Sequence, residues 1–416
     1  MILLISKSDS TGGAAVVSRR LAEALRAEGA DARLLVVEKK TDLPWVIPVG
    51  MPFRTLAANA AERLEILCND GFDRSAIFKV DTGRFGLPLW RHPAVKEADA
   101  VILNYVNQGM LSLRGVERIA DMGKRVVWTM HDMWNLTGIC HHAMECTRFR
   151  GDCGRCPYLG RAASDGDLSR RVWQRKNTLY NKESISFVAV SSWLSAKARE
   201  SALLRDADLH VIPNPFQPYQ LSEPYQPSGT PGASEAPSPA RILFAAAGLD
   251  NWIKGLDTLR EAMRVFAASY PDLPVEVVLM GGARDARALL EGWAVPVRWL
   301  GRVSGEEAVA RVFADADVTV NCSYFENLPG TLVEAQAYGS IPVAFDRGGQ
   351  RDIITHGETG FLVPWSDDLP SRAAALASAL VRALTSRPSP SALAASAARF
   401  SYPSIAHSYL SLLDRS

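Results

Sequence analysis

The sequence predicts an α/β protein made of two doubly wound, Rossmann-like domains. Three observations carry that expectation. The chain opens with an apolar strand, a turn bearing two glycines and an amphipathic helix (2–29). The same order recurs from Arg241, and residues 317–349 read as strand, loop, helix and buried strand. A length of 416 residues leaves room for about two to three domains, each with its own core. With 47% hydrophobic and 22% charged residues the composition is ordinarily globular. A formal charge of +1 argues against a general electrostatic footprint for nucleic acid. No apolar run approaches the ~18 residues that span a bilayer, and Met1–Ile5 is too short for a signal-peptide core. The protein is therefore expected to be cytoplasmic, with peripheral contact at the inner face of a membrane left open. Six cysteines are then thiols or metal ligands rather than structural disulfides.

In the first half, Ile2–Ser6 is a strand, Lys7–Gly13 a turn, Ala14–Glu28 a helix closed by Gly29, and Arg33–Val37 the next strand. The glycines do not fit the dinucleotide fingerprint. Gly12 and Gly13 are as readily an ordinary tight turn as a ligand-facing one. Between Leu43 and Arg91 the pattern weakens to an Ala-rich helix near Leu56–Leu67 and a loop-like segment through Gly71, Gly83 and Gly86. Ala100–Asn104 is a clear strand. Asn104, Tyr105, Asn107 and Gln108 stand at its carboxyl end, where open α/β sheets bind ligands, and are ligand contacts or plain loop residues. Val126–Asp132 delivers His131 and Asp132 to the same edge. A lone strand-end histidine is more often structural than catalytic, and Asp132 either orients that ring or caps the next segment.

Next come Cys140, Cys146, Cys153 and Cys156, with His141 and His142 among them. The two-residue gap between Cys153 and Cys156 matches a zinc-knuckle turn, whereas the five-residue gap after Cys140 is wider than usual. Four thiolates would close a structural zinc shell with no open position, and either histidine could replace one of them. The alternative is a set of buried or loop thiols. Residues 170–183 read as a basic amphipathic helix, most simply a solvated face, and Phe187–Ser192 as a strand.

In the second half, Arg241–Ala247 is a strand and Asn251–Gly255 precedes a helix over Leu256–Ala267. Val275–Met280 leads to Gly281 and Gly282. Val318 and Val320 alternate with polar residues up to a loop. Leu328, Pro329, Gly330 and Thr331 open a helix, Gly339 closes it, and Ile341–Phe345 is a buried strand. Free N–H groups at such a helix start, with the positive end of its dipole, form a seat for a diphosphate. Glu334, one to two turns in, can accept two hydroxyl protons from a vicinal diol, and Glu326 in the loop can reach another part of the same ligand. Acidic residues near a helix start also merely complement the dipole. Asp315 and Asp317 imitate a metal-binding D-x-D pair but precede their strand, at the edge away from ligands; Asp165 and Asp167 lie in a loop.

Glu326, Glu334, Ala335, Ala337, Gly339, Pro342, Val343, Gly348 and Gly349, continued by residues 356–363, resemble the retaining family-4 glycosyltransferases of the GT-B fold. The stretch from His131 to Cys140 resembles their colanic-acid or exopolysaccharide-type subgroup. The resemblance implies two Rossmann-like domains facing each other across a cleft. An acceptor-binding domain (1–213) carries a Cys-rich insertion at about 138–160. After it come a Pro-rich linker (214–240), a nucleotide-sugar domain (241–399) and a helix crossing back (400–416). It implies transfer of a hexosyl group, with retention, from a UDP- or GDP-type sugar to a saccharide or lipid-linked saccharide, without a catalytic metal.

The resemblance also assigns roles. His131, Lys254 and Glu326 are the catalytic group. Gly12, Gly13, Lys254, Val303 and the run Glu326, Asn327, Leu328, Pro329, Gly330, Thr331, with Glu334, hold the donor. Asn104, Tyr105, Asn107 and Asp132 face the acceptor. An arginine usual in the family about five or six residues before the lysine is replaced by Gly248 and Leu249, so Lys254 and the helix start are left to hold the diphosphate. A GT-B epimerase or phosphorylase, and a non-catalytic thiol or metal-binding protein, are the competing classes. Oligomeric state is not legible.

Overall fold

The computed structural model describes residues 1–221 and 238–414. The chain forms two compact units, one of Met1–Pro215 with the segment from Tyr402, the other of Phe216–Ser401. The proposed linker falls largely on 222–237, outside the described residues.

The first unit holds strands β1 (Ile2–Ser8), β2 (Ala32–Glu38), β3 (Val46–Pro48), β4 (Ala100–Leu103), β5 (Arg125–Met130), β6 (Ile185–Ala189) and β7 (Leu209–Val211). They form one sheet in the order β3-β2-β1-β4-β5-β6-β7, with every neighbouring pair parallel. β4 and β6 are buried along their whole length, as strands covered by helices on both faces must be, and this explains their unbroken apolar runs. The helix Gly13–Ala27 sends Leu21, Ala24 and Leu25 into a core shared with Ile405, Ala406, Tyr409 and Leu412 of the last helix, Tyr402–Leu413. The Tyr409 hydroxyl lies 2.8 Å from Thr129 Oγ1 on β5, so this last helix is fastened to the sheet that β1 starts. β3 lies in the segment whose pattern is weak: three residues are too few to show a period of two.

The second unit holds β8 (Ala240–Gly248), β9 (Val275–Gly282), β10 (Val297–Trp299), β11 (Val318–Asn321), β12 (Ile341–Phe345) and β13 (Phe361–Val363). Their order is β10-β9-β8-β11-β12-β13, again parallel throughout. Leu259, Met263 and Phe266 of the helix Leu256–Ser269 pack with Ala373, Leu376 and Leu380 of the helix Leu369–Thr385 on one side of the sheet. Both aspartate pairs have structural work. Asp317, 1% exposed, accepts from the backbone N–H of Arg241 and pairs with Arg387 at 3.0 Å, at the amino end of β11. Asp167 caps the helix Leu168–Tyr180 through the N–H groups of Ser169 and Arg170. Among the described residues no helix is long and apolar enough to cross a membrane.

Candidate active site

In each sheet the strand order reverses once, between β1 and β4 and between β8 and β11. Such a switch point opens a crevice at the carboxyl ends of the strands, because the two flanking connections leave in opposite directions. In the second unit Lys254 comes from the connection after β8 and Glu326 from that after β11. They meet there: Lys254 Nζ lies 2.8 Å from Glu326 Oε2.

Backbone packing positions the pair. Gly255 takes φ +73°, and a Cβ on it would stand 2.2 Å from the carbonyl oxygen of Cys322 at the end of β11. Only glycine lets the two connections touch so closely. The N–H of Tyr324 donates to the carbonyl of Ile253 at 2.7 Å, which ties the lysine loop to the glutamate loop. On the other side Glu326 bridges to Gly348, whose Cβ would meet the Glu326 carbonyl at 2.0 Å. Glu326 is thus held between two backbones.

Asn327 and Leu328, both largely buried, lead into the helix Gly330–Ala337. Pro329 is the cap rather than the first helical residue, with φ −72° and ψ 104°, and the N-terminus has no side-chain cap and no acidic residue in its first turn. Its first N–H groups and dipole remain directed at the switch point. Thr331 and Glu334 are half-buried on this helix. Gln336, 1% exposed, anchors it by donating to the carbonyls of Ile353 and Thr359 at 3.0 and 2.9 Å. Val303 comes after β10, which lies two strands from β8 in the same sheet. Gly12 and Gly13 belong to the first unit, where Gly12 (φ +90°) caps the first helix.

In the first unit, Asn104 at the end of β4 is 2% exposed, and its Oδ1 lies 3.0 Å from His131 Nε2. Burial drives the His131 ring toward its neutral form, with pKa lowered to about 4 against the pull of Asp132. Asp132 does not orient that ring. It caps the next turn through the Trp134 N–H at 2.8 Å and binds His141 Nδ1 at 2.7 Å. His141 Nε2 in turn lies 2.7 Å from Asp81, which also pairs with Arg63. Burial alone would lower the His141 pKa, but the two carboxylates raise it to about 10, so the ring is an imidazolium clamped between aspartates. Tyr105 accepts from Gln108, which also bonds Lys7. The side-chain amide nitrogens of Asn104 and Asn107 are buried without a partner among the described residues, which leaves two donors at the ligand edge of the sheet.

Asp81, Arg63 and His141 form a charged cluster beside His131 that sequence patterns do not reveal. Asp81 lies in the segment with no legible period, and spacing presents His141 only as a substitute metal ligand. The closeness of His131, Asp132 and His141 after one strand is the available signal.

The expected zinc site is not met by the arrangement. Cys140, Cys146, Cys153 and Cys156 line one cavity of about 20 Å³, and the Gly138 N–H donates to Cys153 Sγ at 3.3 Å. Yet among the described residues no group of three or more His, Cys, Asp or Glu is placed to hold a metal ion. Burial pushes the Cys140, Cys153 and Cys156 thiols toward their neutral form, Cys153 to about 11 and Cys156 to about 12, and His141 is committed to two aspartates. Lys176, itself buried over the Trp134 ring, donates to the carbonyls of Trp134 and Thr137 beside these cysteines.

Residues 239–386 match the family model described as Glycosyl transferases group 1. The D-inositol 3-phosphate glycosyltransferase of Corynebacterium urealyticum is 24% identical over 286 residues, 64% of this chain and 63% of that protein. The phosphatidyl-myo-inositol mannosyltransferase of Mycobacterium leprae is 31% identical over 218 residues, 52% of this chain and 54% of that protein. The chain thus spans less than two thirds of the length of these curated relatives. Among solved structures, Anabaena Alr3699/HepE in complex with UDP and glucose matches with TM-score 0.59 at 17% identity, covering 99% of this chain and 98% of that one. WaaG, a glycosyltransferase involved in lipopolysaccharide biosynthesis, matches with TM-score 0.62 at 16% identity over all of both chains. At such identities the likeness is one of fold: two parallel-sheet α/β domains of the GT-B class.

Proposed function

We propose that this protein is a retaining glycosyltransferase that moves a hexosyl group from a UDP- or GDP-type sugar to a saccharide or lipid-linked saccharide. One observation carries the proposal: a lysine and a glutamate meet at the switch point of the second sheet, beside a helix N-terminus that offers free N–H groups. The lysine and those N–H groups suit a diphosphate, and Glu326 and Glu334 suit the hydroxyls of a sugar and a ribose. Neutral His131 and the amides of Asn104 and Asn107 serve the acceptor hydroxyls. No positioned nucleophile is assigned on the acceptor side. The acceptor oxygen attacks the anomeric carbon on the face from which the diphosphate departs. Its proton passes to the leaving diphosphate oxygen. Catalysis then rests on orientation and on stabilising charge at the leaving group.

The test is a thermal-shift screen of nucleotide sugars and then a transfer assay on saccharide acceptors. A donor at ~100 times its Kd should add roughly 2.7 kcal/mol of stability, and product should form only when acceptor is present. Acceptor-independent conversion of the donor would instead identify an epimerase. Glu334→Ala should raise the donor Kd by about tenfold or more and change kcat little, because its partner diol is present in ground and transition states alike. Calorimetry showing an unchanged Kd would remove Glu334 from the donor site.

A further inference from the structure

Lys7 is a cation that the first unit holds in place and leaves without a counter-charge. It stands near the end of β1, half-buried, and its backbone N–H donates to the carbonyl of Tyr105, just past β4, at 3.1 Å. Its Nζ donates to Gln108 Oε1, and among the described residues no carboxylate forms an ion pair with it. Burial lowers its pKa. Glu38, Asp81 and Glu62 act on it from beyond ion-pair distance, Arg63 opposes them, and together they do not restore what burial removes. A half-buried ammonium in that state gains from an anion that reaches it.

A strained turn aims the lysine. Gln108 adopts φ +57°, a left-handed conformation that a residue with a side chain rarely takes. Gly109 follows at φ +76°, and a Cβ on it would stand 2.5 Å from the backbone nitrogen of Asn59 in the helix Pro52–Asn69. Packing against that helix fixes the turn, and the turn fixes Gln108. Both ends of the Gln108 amide are used: Oε1 accepts from Lys7, and Nε2 donates to the Tyr105 hydroxyl at 3.0 Å. The Tyr105 phenol, held protonated by burial and by Asp81 and Asp132, keeps its own O–H to donate. What is left over at Lys7 and Tyr105 is therefore donors alone. Backbone strain of this kind clusters where ligands bind. Close by in the chain stand the amide nitrogens of Asn104 and Asn107, 2% and 8% exposed and without a partner among the described residues.

We propose that Lys7, aimed by Gln108 and joined by Tyr105, binds a negatively charged group on the acceptor, which is then an anionic saccharide carrying a phosphate or a carboxylate. The proposal rests on the reading of the first unit as the acceptor-binding one. The two asparagine amides meet hydroxyls, and the lysine meets the oxyanion of the same molecule.

Calorimetry on the full chain tests it, with glucose 6-phosphate, glucuronate and glucose as probes and no donor present. At least one anionic probe should bind roughly 10–100-fold more tightly than glucose, and the advantage should shrink as salt rises. Which anionic probe leads tells phosphate from carboxylate. Lys7→Gln should erase the advantage with an unchanged thermal melt, and Lys7→Arg should keep most of it. Gln108→Glu should erase it as well, by giving the lysine a carboxylate partner of its own. Equal affinity for the probes, binding of none of them, or an advantage that survives either Lys7→Gln or Gln108→Glu would overturn the proposal. So would a lower affinity for UDP in Lys7→Gln, because the lysine would then serve the donor. A failure of the transfer assay counts against the transferase reading alone, since these probes need no donor.

Discussion

Lys254→Ala is expected to lower kcat by about 10²–10³-fold, the usual effect of removing one group that stabilises developing charge. Donor affinity should fall much less, since negative charge grows on the diphosphate only as the sugar leaves. The folded protein should hardly notice: the Lys254–Glu326 pair is part-exposed, at 30% and 19%, and such pairs contribute little to stability. A normal melting temperature with collapsed turnover separates this from a folding defect. Glu326→Gln is the companion variant, because it frees the lysine and keeps its charge. If Lys254→Ala retains turnover within about threefold, another cation holds the phosphates.

The second large effect is on stability. His141→Ala should destabilise the first unit by about 3–5 kcal/mol, the range for breaking a buried ion pair from one side. Two carboxylates, Asp81 and Asp132, would lose their shared partner, and of these two Arg63 pairs with Asp81 alone while also lying near Glu62. Urea unfolding measures it, and a shift below about 1 kcal/mol would show that the clamp is not an ion pair. The pH dependence has a definite sign. The folded pKa of His141, about 10, lies above its unfolded value. Its stabilisation is therefore complete below about pH 6.5 and is lost as pH rises through about 10. The groups facing the ring are Asp81, Asp132 and Tyr105, the last with ring centres 5.9 Å apart. The difference between wild type and His141→Ala should shrink steadily from pH 7 to 10. A constant difference would mean the histidine is neutral in the folded protein.

The clamp also suits the role proposed for His131. It fixes Asp132 and with it the end of β5, so His131 is aimed by Asn104 on one side and by a rigid backbone on the other. A strand end held this way loses little entropy when a ligand binds.

The amino-acid sequence by itself determined the fold class and the inner strands of both sheets, and its family resemblance supplied the roles proposed for Glu326, Glu334 and Lys254. The reason is local. Parallel strands buried on both faces must be continuous apolar runs, and a helix N-terminus at a strand end is written in neighbouring residues such as Leu328, Pro329 and Gly330. What pairs with what was decided only by tertiary structure. Lys254 and Glu326 are 72 residues apart in the chain, and nothing local says that β8 and β11 lie side by side at the reversal. Asp81 and His141 are 60 apart; Asp81 sits in a segment without period, so its burial could not be read. The cysteines show the converse limit. Their spacing suggests a metal, but spacing along a chain does not set the directions of four sulfurs, and among the described residues they form no metal-holding group.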